Sequence, residues 1–305
     1  MNWLKKAVVD ANAPKFGLID VMNKNLGGYS PARSHEVVHA SDVTKPHFCP
    51  RKYALWDVLK KFPKDEYAST AMQATYDVGN ATARLVVENW ASPVVVGNWF
   101  CRRCGTMKYM EKKPKKGCTK SEDCLWEYRE VVFKSEEFGI EGSLDMLADL
   151  AAPTLQLVEL KIIRVEDFEK LAAPLPEHRI RTNLYMKLVA DSTSQWKHAI
   201  NVHEARVFYV SRGYGKKNDT HGQILPFKEY VVTRNDESLA PWLLKPKQVQ
   251  VFRSGCTKDA MGNLTATGPM PAGICSTSLD KHAKNCNVCI QCFSGQYPAK
   301  QEKTW

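Results

Sequence analysis

Apolar residues run through Ile140 to Leu150 and again through Leu155 to Ile163, with Ala-Ala-Pro-Thr between them, so this stretch reads strand, turn, strand. Side chains two apart on a strand share a face, about 6.6 Å apart at ~3.3 Å rise per residue, so Glu159 and Lys161 point the same way. Leu160 between them points into a core. Once the hairpin closes, Asp145 on the neighbouring strand joins them. Elsewhere the pattern predicts an amphipathic helix over 70–91 and strands over 126–134, 205–211 and 227–233, with a polar turn region over 213–222. Pro46, after Thr44 as cap, opens a helix with Tyr53, Trp56, Leu59 and Phe62 on its apolar side. A second helix starts after Pro174 and sets His178, Arg181 and Tyr185 on one face, three and four positions apart. The stretch 237–251 is helix-like but broken by Pro241 and Pro246, and residues 1–40 mix helix and loop.

At 305 residues the chain has room for one large domain with an insertion, or for two small ones. Lys plus Arg exceed Asp plus Glu by 43 − 33 = 10, which favours a polyanion as partner. No run approaches the ~20 apolar residues of a membrane span. The opening run MNWLKKAVVDANAPKF has neither an apolar segment nor a small-residue cleavage site, so a cytoplasmic protein is expected. In that reducing setting ten cysteines read as metal ligands before disulfides.

Two carboxylates and an ammonium in one small volume suit phosphodiester hydrolysis. Asp145 and Glu159 offer hard oxygen ligands to Mg²⁺ or Mn²⁺, and Lys161 can orient a water or offset charge on phosphate oxygens. A second Glu-x-Lys, at Glu111-Lys112-Lys113, lies in a Lys-rich stretch with no carboxylate strand before it and reads as a solvated charge run. Cys101-x2-Cys104 followed by Cys118 and Cys124 matches a tetrahedral Cys₄ zinc site, structural in kind. Lys113, Lys115 and Lys116 beside it can track phosphates. At the far end, Cys286-x2-Cys289-x2-Cys292 plus one remote cysteine is a ligand plan for a 4Fe-4S cluster, and a family resemblance of its segment makes Cys49 that remote ligand. Cys275 can replace one of the three, or the four C-terminal cysteines can form a second zinc site without Cys49. Cys256 is left as a free thiol.

The run Gly142-Ser143-Leu144-Asp145 followed by Glu159-Leu160-Lys161 resembles the core of PD-(D/E)xK nucleases. The Cys49-Pro-Arg-Lys-Tyr segment and the cysteine triplet narrow the resemblance to the RecB-like exonuclease branch, which includes CRISPR-adaptation nucleases and phage relatives with an iron-sulfur cluster. The order of motifs along residues 40–295 carries the likeness. It implies a restriction-endonuclease-like α/β fold, a central mixed sheet flanked by helices. It implies that Asp145, Glu159 and the Leu160 carbonyl hold Mg²⁺ or Mn²⁺, that Lys161 assists, and that Arg51 and Lys52 lie near DNA. His178, Arg181 and Tyr185 are placed along the DNA path, with Arg181 standing where the family has glutamine. The family's helix histidine is replaced by Ala83, and Glu88 is the candidate acidic substitute, as in lambda-type relatives.

The expected layout is an N-terminal helical part (1–98), a Cys₄ insertion (99–125), a catalytic core (126–250) and a cysteine-rich iron-sulfur segment (251–305) that clasps the chain's two ends over the core. The expected function is a metal-dependent exonuclease acting on DNA ends, in recombination, repair or processing. A recombination, helicase or CRISPR-adaptation protein is the kind of partner the resemblance suggests. The rivals are a non-catalytic DNA-end binding module on the same fold and a structure-selective endonuclease.

Overall fold

The computed structural model describes residues 37–59, 70–115, 117, 123–192, 199–213, 226–258, 264–266, 269–284, 286 and 288–294. The chain divides into two units. One comprises Met1–Arg33 and Lys64–Asn80, and its described part, 70–80, is helical. The other comprises Ser34–Pro63 and Ala81–Trp305 and holds all the described strands.

The short strand β1 (Val38–His39) leads into α1 (Ala40–Val43) and α2 (Pro50–Leu59). The helix expected after Pro46 thus begins at Pro50, whose fixed φ and missing N–H suit a first helical position. Helix α3 (Thr70–Leu85) gives way to a π-turn over Val86–Trp90 where an unbroken helix was expected. Then come β2 (Val95–Cys101), β3 (Met107–Lys112), β4 (Trp126–Arg129), β5 (Val131–Ser135), β6 (Ile140–Leu144), β7 (Met146–Ala148) and β8 (Leu155–Ile163). Helices α4 (Val165–Lys170) and α5 (Pro176–Asp191) precede β9 (Ile200–Ser211), β10 (Phe227–Thr233) and α6 (Asp236–Ser254). The small pair β11 (Cys256–Lys258) and β12 (Leu264–Ala266), then α7 (Lys281–Lys284) and α8 (Cys289–Ser294), complete the described part.

The result is an α/β fold around a mixed sheet. Seven strands form it in the order β10-β9-β8-β7-β2-β3, with β4 also paired to β2. Only β8 and β9 run parallel. A second sheet runs β1-β6-β5. Two segments expected as single strands each serve both sheets. The first changes sheet at Glu130, between β4 and β5, and the other at Asp145, between β6 and β7. The rung Val131–Leu144 is the ladder's last, so Glu130 and Asp145 sit side by side at the crossing.

Alternation along β8 separates two cores. Leu155 and Leu157 join the larger one with α2 and α5, while Val158 and Leu160 join a smaller one with Val95, Trp99 and Val210. Odd positions therefore face α5, and Glu159 and Lys161 are odd. On α5, Leu184, Met186 and Leu188 are fully buried. Each contributes roughly 1.5–3 kcal/mol, enough together to hold the helix over a strand that carries a buried carboxylate. Gly142 permits the close approach, since a Cβ there would lie 2.6 Å from Tyr185 Cε1 and 2.8 Å from Leu188 Cδ1.

Helix α6 continues through Pro241 and Pro246, where a break was expected. Asn235 Oδ1 caps it by accepting from Ser238 N–H at 2.9 Å, and its buried face includes Leu239, Leu243, Pro246, Val249 and Phe252. That burial outweighs the hydrogen bonds the prolines remove. Among the described residues, no helix is long and apolar enough to cross a membrane.

Candidate active site

The ladder between β7 and β8 runs from Ala148–Gln156 to Met146–Val158. The next rung would join Asp145 to Glu159, but the strand has left the sheet. A side chain takes over from the backbone there, and Asp145 Oδ2 accepts the Leu160 N–H at 2.7 Å. This holds the carboxylate beside β8. Lys161 Nζ stands 2.5 Å from Glu159 Oε1 and 3.7 Å from Asp145 Oδ2, and Arg181 Nη1 on α5 stands 3.7 Å from the same Glu159 oxygen. Asp145, Glu159, Lys161 and Arg181 therefore meet at one point.

Glu159 is 1% exposed, and burial pushes its carboxyl up to about 7, with Lys161 and Arg181 pulling against the shift and Asp145 adding to it. Burial disfavours charge on Lys161, yet Glu159 and Asp145 raise its ammonium above the ordinary lysine range. Glu159 Oε2 is buried without a hydrogen bond among the described residues. A buried carboxylate oxygen with no donor, next to a second carboxylate, is a donor set that fits a hard divalent cation.

The face of α5 that sequence pointed to does meet this point. Tyr185 is buried, with its phenol pushed well above the ordinary range by burial and by Glu159 and Asp145. Tyr209 Oη accepts from Leu175 N–H at 3.0 Å and lies 2.9 Å from His178 Nδ1. Burial, with Lys161 and Arg181 close by, pushes His178 down to about 3, so its ring is neutral.

Other expected site residues lie elsewhere. Glu88 Oε1 accepts the Tyr128 N–H at 3.0 Å and sits 3.6 Å from Arg84 Nε, so its carboxylate braces β4. Lys113 Nζ donates to the Glu88 carbonyl at 2.7 Å and lies over the Trp99 ring. Lys115 is exposed, and Lys116 lies outside the described residues. Arg51 donates to the Pro271 carbonyl at 2.8 Å and to Cys292 Sγ at 3.9 Å, and Lys52 lies over the Trp56 ring, where contact with DNA was expected.

Sequence reasoning missed Glu130. Its surface reaches solvent, yet desolvation and the neighbouring Asp145 and Glu159 push its carboxyl up to about 7, against a hydrogen bond from Ser143 and the pull of Lys161. The available signal was the polar Arg129-Glu130 pair interrupting an otherwise strand-like run.

The cysteines fall into two kinds of group. Cys101, Cys104 and Cys124 have their sulfurs within 4.8 Å of one another, with Cys104 and Cys124 4.0 Å apart. Four thiolates around one Zn²⁺ at ~2.3 Å would stand about 3.8 Å apart, so this group fits a single ion. Although burial opposes it, hydrogen bonds from Cys104, Arg103 and Cys124 hold the Cys101 thiol down at about 7. Cys118, the expected fourth ligand, lies outside the described residues. Cys101 closes β2 and Glu111-Lys112 lies on β3, with Lys112 paired to Asp149 at 2.8 Å, so the island extends the main sheet and its charge run is not a solvated loop.

The other group lines a small open cavity of about 20 Å³ with Cys49, Cys275, Cys286, Cys289 and Cys292. No three of these five sulfurs come within 4.8 Å of one another. Burial raises the Cys275 thiol, and Asp280, Cys49, Cys286 and Cys292 add to the rise. Cys289 Sγ lies 4.0 Å from the Ser278 carbonyl. Cys256, left as a free thiol, donates to the Phe252 carbonyl at 3.3 Å.

No family model and no curated protein matches the chain. Among solved structures, that of SSO0001 is 13% identical with a TM-score of 0.34, covering 75% of this chain and 81% of that one. LHK-Exo in complex with dAMP is 14% identical, also with a TM-score of 0.34, covering 71% of this chain and 87% of that one. Likenesses this weak bear on neither fold nor chemistry. What remains is the chain's own geometry: an acidic pair, two cations, and two distinct thiol groups.

Proposed function

We propose that the chain is a metal-dependent deoxyribonuclease that hydrolyses phosphodiester bonds at DNA ends, as its sequence resemblance to RecB-like PD-(D/E)xK exonucleases implies. The observation that carries the reading is the convergence of Asp145, Glu159 and Lys161 where one strand leaves the main sheet. Asp145, Glu159 and the Leu160 carbonyl would hold Mg²⁺ or Mn²⁺. Such an ion, when bound, polarises a phosphate and acidifies water. Lys161 keeps its proton and orients the attacking water or neutralises phosphate oxygens. Arg181, already beside Glu159, offers a planar fork of donors to the phosphate, where a glutamine amide would offer one uncharged group. Tyr185 and the neutral His178 wall the site on the α5 side.

Cys101, Cys104 and Cys124, with Cys118, would hold Zn²⁺ as a structural ion. Cys49, Cys275, Cys286 and Cys292 would hold a 4Fe-4S cluster, with Cys275 in the place first given to Cys289. Sulfurs that share a cavity yet stand apart suit a group larger than one ion. Anaerobically purified protein should carry about four iron atoms and about one zinc per chain. Zinc without iron overturns the cluster reading.

The activity is tested with labelled linear single- and double-stranded DNA in Mg²⁺ or Mn²⁺. Cutting by the unaltered protein, lost in Glu159→Ala and Lys161→Ala while binding persists, supports the enzyme. Binding without any cutting would leave a DNA-end binding module, and cleavage of closed circular DNA would mark an endonuclease.

A further inference from the structure

Arg51 lies on the first turn of α2, two positions after Cys49, and its side chain turns to the cysteine cavity. Its Nε donates to the Pro271 carbonyl at 2.8 Å and its Nη1 to Cys292 Sγ at 3.9 Å. The backbone at Gly273 passes close to the guanidinium, where a Cβ would lie 3.6 Å from Arg51 Cδ and 3.7 Å from Nε. One rigid plane therefore joins three pieces that are remote in sequence. These are α2 with Cys49, the 271–275 segment ending in Cys275, and α8 with Cys292. An arginine meant for DNA phosphates would keep its donors in water. This one gives two of them, from Nε and Nη1, to a carbonyl and a sulfur.

We propose that Arg51 is a positioning residue of the four-cysteine centre, donating to the Cys292 thiolate and so fixing and tuning the group those thiolates hold. The proposal rests on the cluster reading above. Four thiolates in one cavity repel one another, and a permanent guanidinium charge beside them offsets this. Donors to cluster sulfurs also favour the more reduced, more negative state, which raises the reduction potential.

The test uses the full-length protein purified anaerobically, unaltered and as Arg51→Lys and Arg51→Gln. Iron content, visible absorbance, midpoint potential and the rate of bleaching in air are read alongside DNA affinity at fixed salt. Expected are a midpoint moved to more negative potential in Arg51→Gln, bleaching several-fold faster, partial recovery in Arg51→Lys, and DNA affinity within twofold of the unaltered protein. Iron-loaded Arg51→Gln with an unchanged midpoint and weakened DNA binding would overturn the proposal while leaving the cluster standing. Unaltered protein without iron would overturn the cluster reading itself, and this role with it.

Discussion

Arg181 Nη1 lies 3.7 Å from Glu159 Oε1, so α5 brings a second cation to a carboxylate already paired with Lys161. Arg181 helps to limit the rise of Glu159, whose carboxyl stands at about 7. Cation binding needs the ionised form, so it should rise with pH through that range in the metal-free protein. Arg181→Gln removes the restraint and should move the pH of half-maximal Mn²⁺ binding upward, by about one unit for each ~1.4 kcal/mol of lost interaction. Mn²⁺ titrations across a pH series read this directly, and an unmoved midpoint would refute it.

Glu130→Gln should act in the opposite direction. It takes a carboxylate away from the neighbourhood of Asp145 and Glu159, easing the ionisation of Glu159. The same titrations should show a downward shift. An unchanged or upward shift would mean that Glu130 does not share the site's charge.

Gly142→Ala tests the packing of α5 on β6. The added methyl meets Tyr185 and Leu188 inside van der Waals range, and overpacking of this kind costs about 1–3 kcal/mol. Denaturant unfolding should show that loss. Cutting should fall with it, because Arg181 and Tyr185 ride on the displaced helix.

His178 is held neutral, with its pKa down at about 3 against 6.5 in a free side chain. Between those values the unfolded chain takes up a proton that the folded chain refuses, so stability falls as pH drops through 6.5 toward 3. His178→Gln should flatten that fall. Thermal melting at pH 7 and pH 5 checks the difference, and parallel profiles for the two proteins would contradict it.

Cys104→Ser should lose nearly all of the roughly one zinc per chain expected from a single Cys₄ site and lower the melting temperature, because the group closes β2 at the edge of the main sheet. Cutting should persist at a temperature where the variant is folded. Its complete loss there would give the zinc group a part in the reaction.

Much of the site was legible because its residues are local in sequence. Asp145, Glu159 and Lys161 lie on consecutive strands, and period two sets their faces. The α5 face was legible through period 3.6. The breaks at Glu130 and Asp145 were not, since a strand that changes sheet keeps the same local pattern and differs only in its distant partners. The partner of Glu88 was hidden for a related reason: helix periodicity puts it on a face but does not say that its carboxylate will accept the Tyr128 N–H. Spacing left the choice between Cys275 and Cys289 open, and it gave no sign of the 276–280 turn after Cys275, where Asp280 accepts from Ser276 and Thr277 N–H.

Asp145 is the seam of a strand stitched into two fabrics, and its own carboxylate reaches across the gap where backbone rungs stop. Strain that prises the lesser sheet from the greater would reach this stitch first. The proposed cation site should therefore come apart under mild stress while the cores stay shut, like a fuse.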